Sequence, residues 1–517
     1  MIKDSTSVRV AKNTGYLYVK LLVSLCFTLY TTRIVLDALG ASDFGIFGVL
    51  GSLIAMLGFL NSSMAATTQR FMNYYEGKDN AQDKIRIFNS AVLMHIAIAV
   101  FVGVLFSLFE DLMLNFLIKV DAERIIAAKW VFRITVFSTM ISIVTVPYEA
   151  AINSHEDMLF YSVVGIIDII LKFLLALYVT ITSYDKLIVY GITVLAVTIL
   201  TFVMMWVYCR RKYSECVFDP QKHVDKGLIR EMFMFGGWSL VGTSSTMISN
   251  YGLGVVINRF FGTIINATFG VCNQFTGFLL VLSTNLMKAV NPVIVKNEGK
   301  GERGKMFNAT FFSCKLSYLA YAFIGIPFFV ECNFLLNLWL KDVPPYCLEF
   351  CRLSCVLKVI EQLTVPLHTS ITAVGNIKQY NIITAIIQLC QLLLAVLFFS
   401  LGLEPHYCVI AMIVAVIMVS IYRIFFCVAK LSMIFSSFAN IVLRSFIHLV
   451  MAMSVWLFVL VLHDSFARFL IVTFISILLN TVLGYYIIFD NQERVVVNGV
   501  CLKFLNSIQL HIAKLSN

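Results

Sequence analysis

The sequence is poor in charged residues. Asp, Glu, Lys and Arg make up 13% of its 517 residues, about half the share found in soluble globular domains. Hydrophobic residues make up 60%, and the mean hydropathy is +0.88. Stretches of 18 or more mostly apolar residues recur along the whole chain, a pattern typical of transmembrane helices. The composition therefore excludes an ordinary water-soluble protein.

Several motifs are also missing. None of the thirteen Cys residues has CxxC spacing, and Cys347, Cys351 and Cys355 share one helix face, which favours packing over metal binding. No metal or cofactor is therefore expected. There is no GxxxxGK[ST] loop, which argues against ATP hydrolysis. No long loop of the kind used by membrane glycosyltransferases is present, and no enzyme is predicted.

One cluster keeps a minor enzymatic alternative open. His155, Glu156 and Asp157 are adjacent, and Glu149 lies just before them. A membrane glycosyltransferase or ligase would need an acid or base near the membrane surface, and these residues are the candidates. Because three adjacent residues have no specific ligand geometry, a solvated loop is the favoured interpretation.

The apolar runs predict an all-α polytopic membrane protein of about fourteen transmembrane helices. The predicted spans are residues 12–36, 44–68, 86–109, 125–147, 158–182, 186–209, 229–258, 264–291, 306–330, 346–370, 379–402, 406–429, 438–462 and 466–489.

Most of the 39 Lys and Arg residues fall in alternate links, at the termini and after even-numbered spans. By the positive-inside rule, both termini are predicted to be cytoplasmic. The opposite links carry only a few positive residues, namely Lys119, Arg124, Lys186, Arg259, Lys341 and Arg468. This placement accounts for the net charge of +10, so no nucleic-acid partner is expected.

The chain contains an internal duplication. Thr145-Val146-Pro147 returns as Thr364-Val365-Pro366 at an offset of 219 residues, and Tyr161 and Tyr380 match at the same offset. Glu76-Gly77-Lys78 returns as Glu298-Gly299-Lys300. Each copy holds six spans, so the copies are parallel repeats. The predicted lobes are residues 1–219 and 220–435, and residues 436–517 add two helices and a cytoplasmic tail.

Basic residues within or beside the spans are the candidate substrate-binding set. Each costs several kcal/mol if it faces lipid, so each should face protein or water. This set is Arg33, Arg133, Lys172, Arg259, Lys315, Arg352 and Lys358. Lys129 and Arg423 belong to the same class of residues. Those near span ends could instead extend to the membrane surface.

Two acidic residues lie beside two of these cations. Asp168 precedes Lys172 by four residues, and Glu361 follows Lys358 by three, which places each pair on one helix face. Asn250 and Asn273 belong to a polar stripe on spans seven and eight. These four residues are candidates for gating or ion coupling. The alternatives are ion pairs and interhelical hydrogen bonds that only hold helices together.

This arrangement predicts a cavity between the two six-helix lobes with a net positive lining. Such a cavity suits an anionic group such as a diphosphate, which Arg and Lys bind through charge-assisted hydrogen bonds. Several Trp and Tyr residues could face a sugar, although interface belts are the commoner role of such residues.

Residues 33–47 resemble the hairpin motif R-x-L-G-x-x-D-Y-G of the bacterial polysaccharide and oligosaccharide flippases, with Phe44 in place of the usual Tyr. Gln69-Arg70-Phe71 and Glu76-Gly77 resemble the end of their second helix. These flippases belong to the multidrug/oligosaccharidyl-lipid/polysaccharide exporter superfamily. The resemblance implies two six-helix bundles in a V, with two extra C-terminal helices. Charged residues of the first helix in lipid II flippases have no counterpart at residues 25–28, so that role is not transferred.

The resemblance also implies a function. We expect the protein to flip an undecaprenyl-diphosphate-linked oligosaccharide from the cytoplasmic to the periplasmic leaflet of the bacterial inner membrane, by alternating access. The implied partners are the lipid-linked oligosaccharide, membrane lipids, a polysaccharide polymerase and a chain-length regulator. The alternative is a multidrug or small-cation antiporter of the same superfamily. Such a pump favours acidic residues in its cavity, and this chain offers chiefly Asp168 and Glu361.

Overall fold

The structure is a computed structural model that describes residues 6–55, 58–78, 80–112, 122–340, 343–461, 463, 465–495 and 497–499. Every regular element in these residues is a helix. The α-helices are α1 (Thr6–Ala55), α2 (Gly58–Lys78), α3 (Ala81–Leu112), α4 (Ile125–Ser154), α5 (Met158–Ile181), α6 (Lys186–Lys212), α7 (Pro220–His223), α8 (Lys226–Gly299), α9 (Arg303–Val330), α10 (Cys332–Trp339), α11 (Cys347–Val374), α12 (Lys378–Ser400), α13 (Tyr407–Leu431), α14 (Phe435–Ala452), α15 (Trp456–Val461) and α16 (Phe466–Leu483).

Eleven helical stretches in the described residues are long and apolar enough to cross a membrane. They confirm the prediction of an all-α, multi-pass membrane protein. The 28-residue helix α11 is not among the eleven, and it carries Arg352, Lys358 and Glu361. The count of fourteen spans stays a prediction.

Two glycines bend long helices without a loop. Gly40 in α1 has φ 75° and ψ 166°, and Gly262 in α8 has φ 82° and ψ −178°. Side chains other than glycine rarely adopt this region. The predicted links between spans one and two and between spans seven and eight are therefore kinks inside continuous helices. The two glycines are 222 residues apart, which agrees with the duplication.

Helices α4 and α11 are also built alike. Each has an internal proline, Pro147 or Pro366. Each is followed by a residue of positive φ, Glu156 at 58° or Gly375 at 96°. Both pairs are separated by 219 residues, so the repeat seen in the sequence extends to the backbone conformation.

The chain divides into two compact units. We call Gly15–Leu240 with Val295–Gly301 the N-terminal unit, and Met1–Thr14, Val241–Ile294 and Glu302–Asn517 the C-terminal unit. In the former, α4 packs on α3 and α6, and α5 packs on α6. In the latter, α11 packs on α9 and α13, and α12 packs on α13. The packing order is the same in both. The lobe boundaries predicted from the sequence stay a prediction.

The core of the C-terminal unit holds the three clustered cysteines. Cys347, Cys351 and Cys355 are all buried among apolar side chains that include Phe350 and Tyr321. They act as small packing residues on the inner face of α11, in agreement with the packing interpretation.

A pair of glycines lets α2 and the end of α8 touch within the N-terminal unit. A Cβ on Gly77 would lie 2.3 Å from the carbonyl oxygen of Lys296, and a Cβ on Gly299 would lie 2.0 Å from that of Tyr74. Each glycine thus meets the carbonyl three residues before the other glycine. Small residues at such crossings allow close backbone approach between membrane helices. Here the two repeated Glu-Gly-Lys segments meet each other.

Candidate functional site

A polar cavity of about 100 Å³ lies inside the C-terminal unit, and we call it the α11–α13 cavity. Its walls come from α8, α11, α12 and α13. The polar lining residues are Thr246, Ser249, Asn250, Lys358, Glu361, Gln388, Gln391 and Arg423. Three of the predicted site residues, Asn250, Lys358 and Glu361, therefore come together here.

Lys358 and Glu361 form an ion pair on α11. The Lys358 Nζ lies 2.7 Å from Glu361 Oε2, and the two side chains are 22% and 29% exposed. A spacing of three residues places both on one helix face, as the sequence predicted. The pair satisfies its own charges and leaves the cavity with no net charge from these two groups.

Arg423 adds a cation that no carboxylate in the described residues pairs with directly. Its Nε donates to the hydroxyl of Tyr380 at 2.8 Å, and its Nη1 donates to Thr364 Oγ1 at 3.3 Å. Both acceptors are neutral. With Lys358 and Glu361, the cavity holds two cations and one carboxylate. A surplus charge at membrane depth is costly unless a ligand or water compensates it, so Arg423 is a functional candidate.

Two groups that lie behind the cavity lining, His368 and Tyr380, are not among the site residues predicted from the sequence. The His368 ring lies 5.4 Å from that of Tyr380, and His368 Nδ1 is buried with no hydrogen-bond partner in the described residues. From the sequence, Tyr380 is only one of the several Trp and Tyr residues that could face a sugar. The duplication held the missing signal, since Tyr380 matches Tyr161 and His368 matches Glu149 at the same offset of 219.

The polar stripe of α8 has two roles. Ser245 and Thr246 each donate to Gln388 Oε1 of α12 at 2.9 Å, and Ser249 donates to the Gln388 carbonyl at 2.5 Å. These bonds hold helices together. Asn250 lines the cavity, whereas Asn273 is exposed and outside that lining. Both interpretations of the stripe thus apply, to different residues.

The N-terminal unit has its own ion pair on α5. Lys172 Nζ lies 2.9 Å from Asp168 Oδ2, and Thr201 of α6 donates to Asp168 Oδ1 at 3.4 Å. The Lys172 side chain is 41% exposed. Gly165 and Tyr161 lie one and two turns before Asp168 on α5. The Lys20 side chain of α1 passes over Gly165, and its Nζ lies 4.2 Å from the centroid of the Tyr161 ring. This unit therefore also places cations along a tyrosine-bearing helix.

The remaining predicted cations lie elsewhere in their units. Arg133 pairs with the buried Glu110 of α3 at 3.0 Å. Arg33 and Arg259 are exposed and make no ion pair with described residues. Lys315 is buried and pairs with Glu493 at 2.6 Å. The Arg352 guanidinium lies 5.0 Å from the Trp456 ring centroid.

These last residues do not share one cavity. Neither Lys315 nor Arg352 lines the α11–α13 cavity, although both belong to the same unit. Lys129, a further cation noted in the sequence, pairs with Asp111 at 2.9 Å. Within their units, most of these cations take part in separate local contacts, and the predicted cationic lining stays a prediction.

The expectation of a solvated loop at His155–Asp157 was wrong. Glu156 is 8% exposed and accepts from Lys296 Nζ at 2.8 Å. His155 Nε2 lies 2.5 Å from Glu215 Oε1 and its Nδ1 lies 3.7 Å from Glu76 Oε1. Burial raises the pKa of Glu215, but the hydrogen bonds from His155 and from the backbone, together with the charges of His155 and Lys84, bring that pKa below its ordinary value. The segment is a network that joins α2, α4 and the end of α8.

The hairpin motif also has a structural explanation. Asp43, the acidic residue of the motif, accepts from Arg124 Nε at 2.9 Å. Arg124 Nη1 also donates to Asp185 Oδ2 at 2.7 Å. Asp185 in turn accepts the backbone N–H groups of Leu187 and Ile188 and caps α6. One arginine thus joins the bend after Gly40 to the start of α6.

We call Arg124, Asp43 and Asp185 the Arg124 clamp, and the hydrogen bonds among them shift the pKa values of Arg124 and Asp185. The hydrogen bonds that Arg124 donates to Asp185 and Asp43 raise the pKa of Arg124. Burial raises the pKa of Asp185, but the Arg124 hydrogen bond and the helix N–H groups lower it to below its ordinary value.

No protein-family model and no curated protein sequence matches this chain. Solved structures do match. MATE in the bent conformation has a TM-score of 0.71 at 13% identity, over 82% of this chain and 97% of that chain. A multidrug resistance MATE family transporter of the MOP superfamily, in an outward-facing conformation, has a TM-score of 0.66 at 12% identity, over 81% and 94%.

A third match is a MOP superfamily transporter from Pyrococcus furiosus, described as having a binding pocket of reverse polarity that suggests a different function. Its TM-score is 0.68 at 14% identity, over 81% of this chain and 96% of that chain. At these identities the likeness concerns the fold. The chain has the fold of the MATE transporters.

Proposed function

We propose that this protein is a transporter that flips an undecaprenyl-diphosphate-linked oligosaccharide across the bacterial inner membrane by alternating access. The fold supports a membrane transporter, and the cation surplus of the α11–α13 cavity supports an anionic cargo. That surplus is the observation that carries the proposal. Arg423 and Lys358 would bind the diphosphate, because charge-assisted hydrogen bonds from Arg and Lys match phosphate oxygens.

Glu361 has a positioning role in this proposal. Its contact with Lys358 at 2.7 Å holds the ammonium group beside the cavity when no cargo is bound. A diphosphate that enters would compete with Glu361 for Lys358. Binding would then be coupled to release of the carboxylate, which could take up a proton or a small cation.

The test is translocation of a fluorescent undecaprenyl-diphosphate oligosaccharide in proteoliposomes. We expect Arg423→Ala and Lys358→Ala to slow translocation by about tenfold or more, since hydrogen bonds to charged groups contribute roughly 1.5–3 kcal/mol. Lys430→Ala is the matched control, because Lys430 is an exposed cation two turns after Arg423 on the same helix. Unchanged rates in both cavity variants would remove the site assignment while leaving the function intact.

The second candidate function is export of drugs or small organic cations. Glu361 favours it, because this carboxylate lines the cavity and could bind a cation once Lys358 moves away. Uptake of a fluorescent organic cation by wild-type proteoliposomes, together with no translocation of several lipid-linked oligosaccharides, would establish this alternative. Glu361→Gln would then abolish uptake, whereas under the flippase proposal the same change only weakens coupling.

The enzymatic alternative finds less support. The side chains it requires are engaged in ion pairs, His155 with Glu215 and Glu156 with Lys296. Replacement of Glu149, His155 and Glu156 by Ala, with transport retained, would remove it. The cytoplasmic position of both termini and the partnership with a polymerase and a chain-length regulator remain part of the flippase proposal.

A further inference from the structure

A second and larger cavity, of about 890 Å³, lies inside the C-terminal unit, and we call it the α9–α14 cavity. It is bounded by the first half of α9, the end of α13, the first half of α14 and the residues after α16. Its size falls in the range of small-molecule sites, roughly 300–1,000 Å³. Neither the proposed transport chemistry nor the α11–α13 cavity uses it.

One face of α14 supplies polar groups to this cavity. Ser437, Asn440 and Arg444 all line it, at spacings of three and four residues that place them on one helix face. Arg444 Nε donates to Asn440 Oδ1 at 3.2 Å. No carboxylate in the described residues lies within ion-pair distance of Arg444. An arginine within an apolar span that faces a cavity calls for an anionic ligand.

The acidic residues of the cavity are already engaged. Asp490 and Glu493 line it, but both pair with Lys315, at 3.5 and 2.6 Å respectively. Lys315 is three turns along α9 from its start at Arg303, which also lines the cavity. Both carboxylates are therefore engaged by Lys315. The charged lining residues are three cations, Arg303, Lys315 and Arg444, and these two carboxylates, so the lining carries a net positive charge.

The other walls suit an amphiphile. Phe307, Phe311 and Phe312 of α9 line the cavity and offer apolar surface for acyl chains. The cavity also borders the first turns of α9 and α14, and neither helix has a side-chain N-cap hydrogen bond. Uncapped N–H groups at a helix start favour anions. The cations suit the phosphate of a lipid headgroup, and the apolar walls suit its acyl chains.

We propose that the α9–α14 cavity binds the phosphate headgroup of an anionic membrane lipid, with Arg444, Asn440 and Ser437 at the phosphate and the α9 phenylalanines along its acyl chains. The positive-inside pattern predicts that the starts of α9 and α14 face the cytoplasm, so the ligand is a lipid of that leaflet. This proposal does not depend on which cargo the transporter moves.

The test is binding of phosphatidylglycerol to purified full-length protein in detergent, by native mass spectrometry and by the shift in unfolding temperature. We expect binding at least tenfold weaker in Arg444→Gln than in wild type. Lys305→Gln is the matched control, because it removes an equal charge two residues from Arg303 without touching the cavity lining. Asn440→Trp retains every charge but fills the cavity, and it should also abolish binding.

Each outcome of this experiment either supports or overturns the lipid-binding proposal. Selective binding of phosphatidylglycerol over phosphatidylcholine, lost in Arg444→Gln and Asn440→Trp, supports the proposal. Equal binding of both lipids, or no change in either variant, overturns it. Displacement of the lipid by inorganic phosphate or glycerol 3-phosphate at equal concentration also overturns it, since the site would then belong to a soluble phosphate. Arg444 is only partly buried, so the variant should fold, and size-exclusion chromatography checks this.

Discussion

The two halves of the duplication share a scaffold but differ in charge. In the N-terminal unit, Lys20 lies over Tyr161, and Glu149 is close enough to act on Tyr161 electrostatically. In the C-terminal unit, Arg423 binds Tyr380, and His368 occupies the position that matches Glu149. The tyrosine is retained at the matching position, and the carboxylate is replaced by an imidazole. The cations come from positions that do not match. At the same offset of 219, Lys20 corresponds to Ser239 and Arg423 corresponds to Met204.

This position contributes to a difference in charge, and the ion pairs of the two units differ as well, since Asp168 and Lys172 correspond to Ile387 and Gln391 at the offset of 219. The N-terminal group has two cations, Lys20 and Lys172, and two carboxylates, Asp168 and Glu149. The C-terminal group has two cations and only one carboxylate, Glu361. The two similar frames therefore carry different charged groups, and the C-terminal one has two cations for one carboxylate, which suits an anion. The glycines at the kinks and at the helix crossing are the same in both halves, because few other residues fit a positive φ or a close backbone contact.

The largest expected effect comes from breaking the shared scaffold. Gly77→Val and Gly299→Val should each destabilise the protein by about 3 kcal/mol or more, because the new Cβ meets a backbone carbonyl that cannot rotate away. Thermal unfolding in detergent measures this, and the two variants should behave alike. Gly277→Val is the control, since a Cβ there has nothing within 4 Å. A tolerated valine at either glycine would contradict the crossing.

The difference in charge can be tested by exchange. His368→Glu should place a second carboxylate behind the cavity lining, next to the Tyr380 that binds Arg423, and slow transport of an anionic cargo by about tenfold, equivalent to roughly 1.4 kcal/mol. Glu149→His is the counterpart in the N-terminal unit. It should change the transport rate of an anionic cargo less, because Lys172, a cation of that unit, is partly exposed and therefore screened by solvent. Initial rates in proteoliposomes decide this. Faster transport in His368→Glu would contradict this explanation, because an added carboxylate should repel an anionic cargo.

The smallest effect concerns the clamp made by Arg124 in the N-terminal unit. Arg124→Met should cost about 1 kcal/mol, as expected for partly exposed ion pairs. The pKa of Asp185 is lowered from its ordinary value of 3.8, so the stabilisation is present above that pH and is lost as pH falls below it. Unfolding temperatures between pH 3 and 6 test this. An unchanged acid-side slope in the variant would contradict the assignment.

Local patterns in the sequence predicted the fold well. Apolar runs located the membrane helices, because lipid demands about twenty apolar residues per span. The spacing of Asp168 with Lys172 and of Lys358 with Glu361 correctly predicted two ion pairs, since helix geometry alone places them together. The kinks at Gly40 and Gly262 were missed as such, because an apolar run shows where a helix can lie and not whether a loop separates two helices.

Long-range partners could not be derived in this way. Lys315 pairs with Glu493, 178 residues later, and nothing in either neighbourhood indicates the other. The same holds for the bidentate pair of Arg468 and Glu331, which is fully enclosed and joins α16 to the end of α9. Such contacts depend on which helices become neighbours, and only the folded structure shows that.

The reciprocal contact of Gly77 and Gly299 has a consequence for ancestry. Each glycine touches the same relative position of the other segment, as the two surfaces of a symmetric homodimer do. A half-length ancestor with a single Glu-Gly-Lys segment could therefore have assembled with a second copy of itself through this contact. Gene fusion would then have turned an interface between subunits into an internal one. The sequences around the two glycines could then diverge. As long as the two backbones touch, however, neither glycine can be replaced by a residue with a side chain.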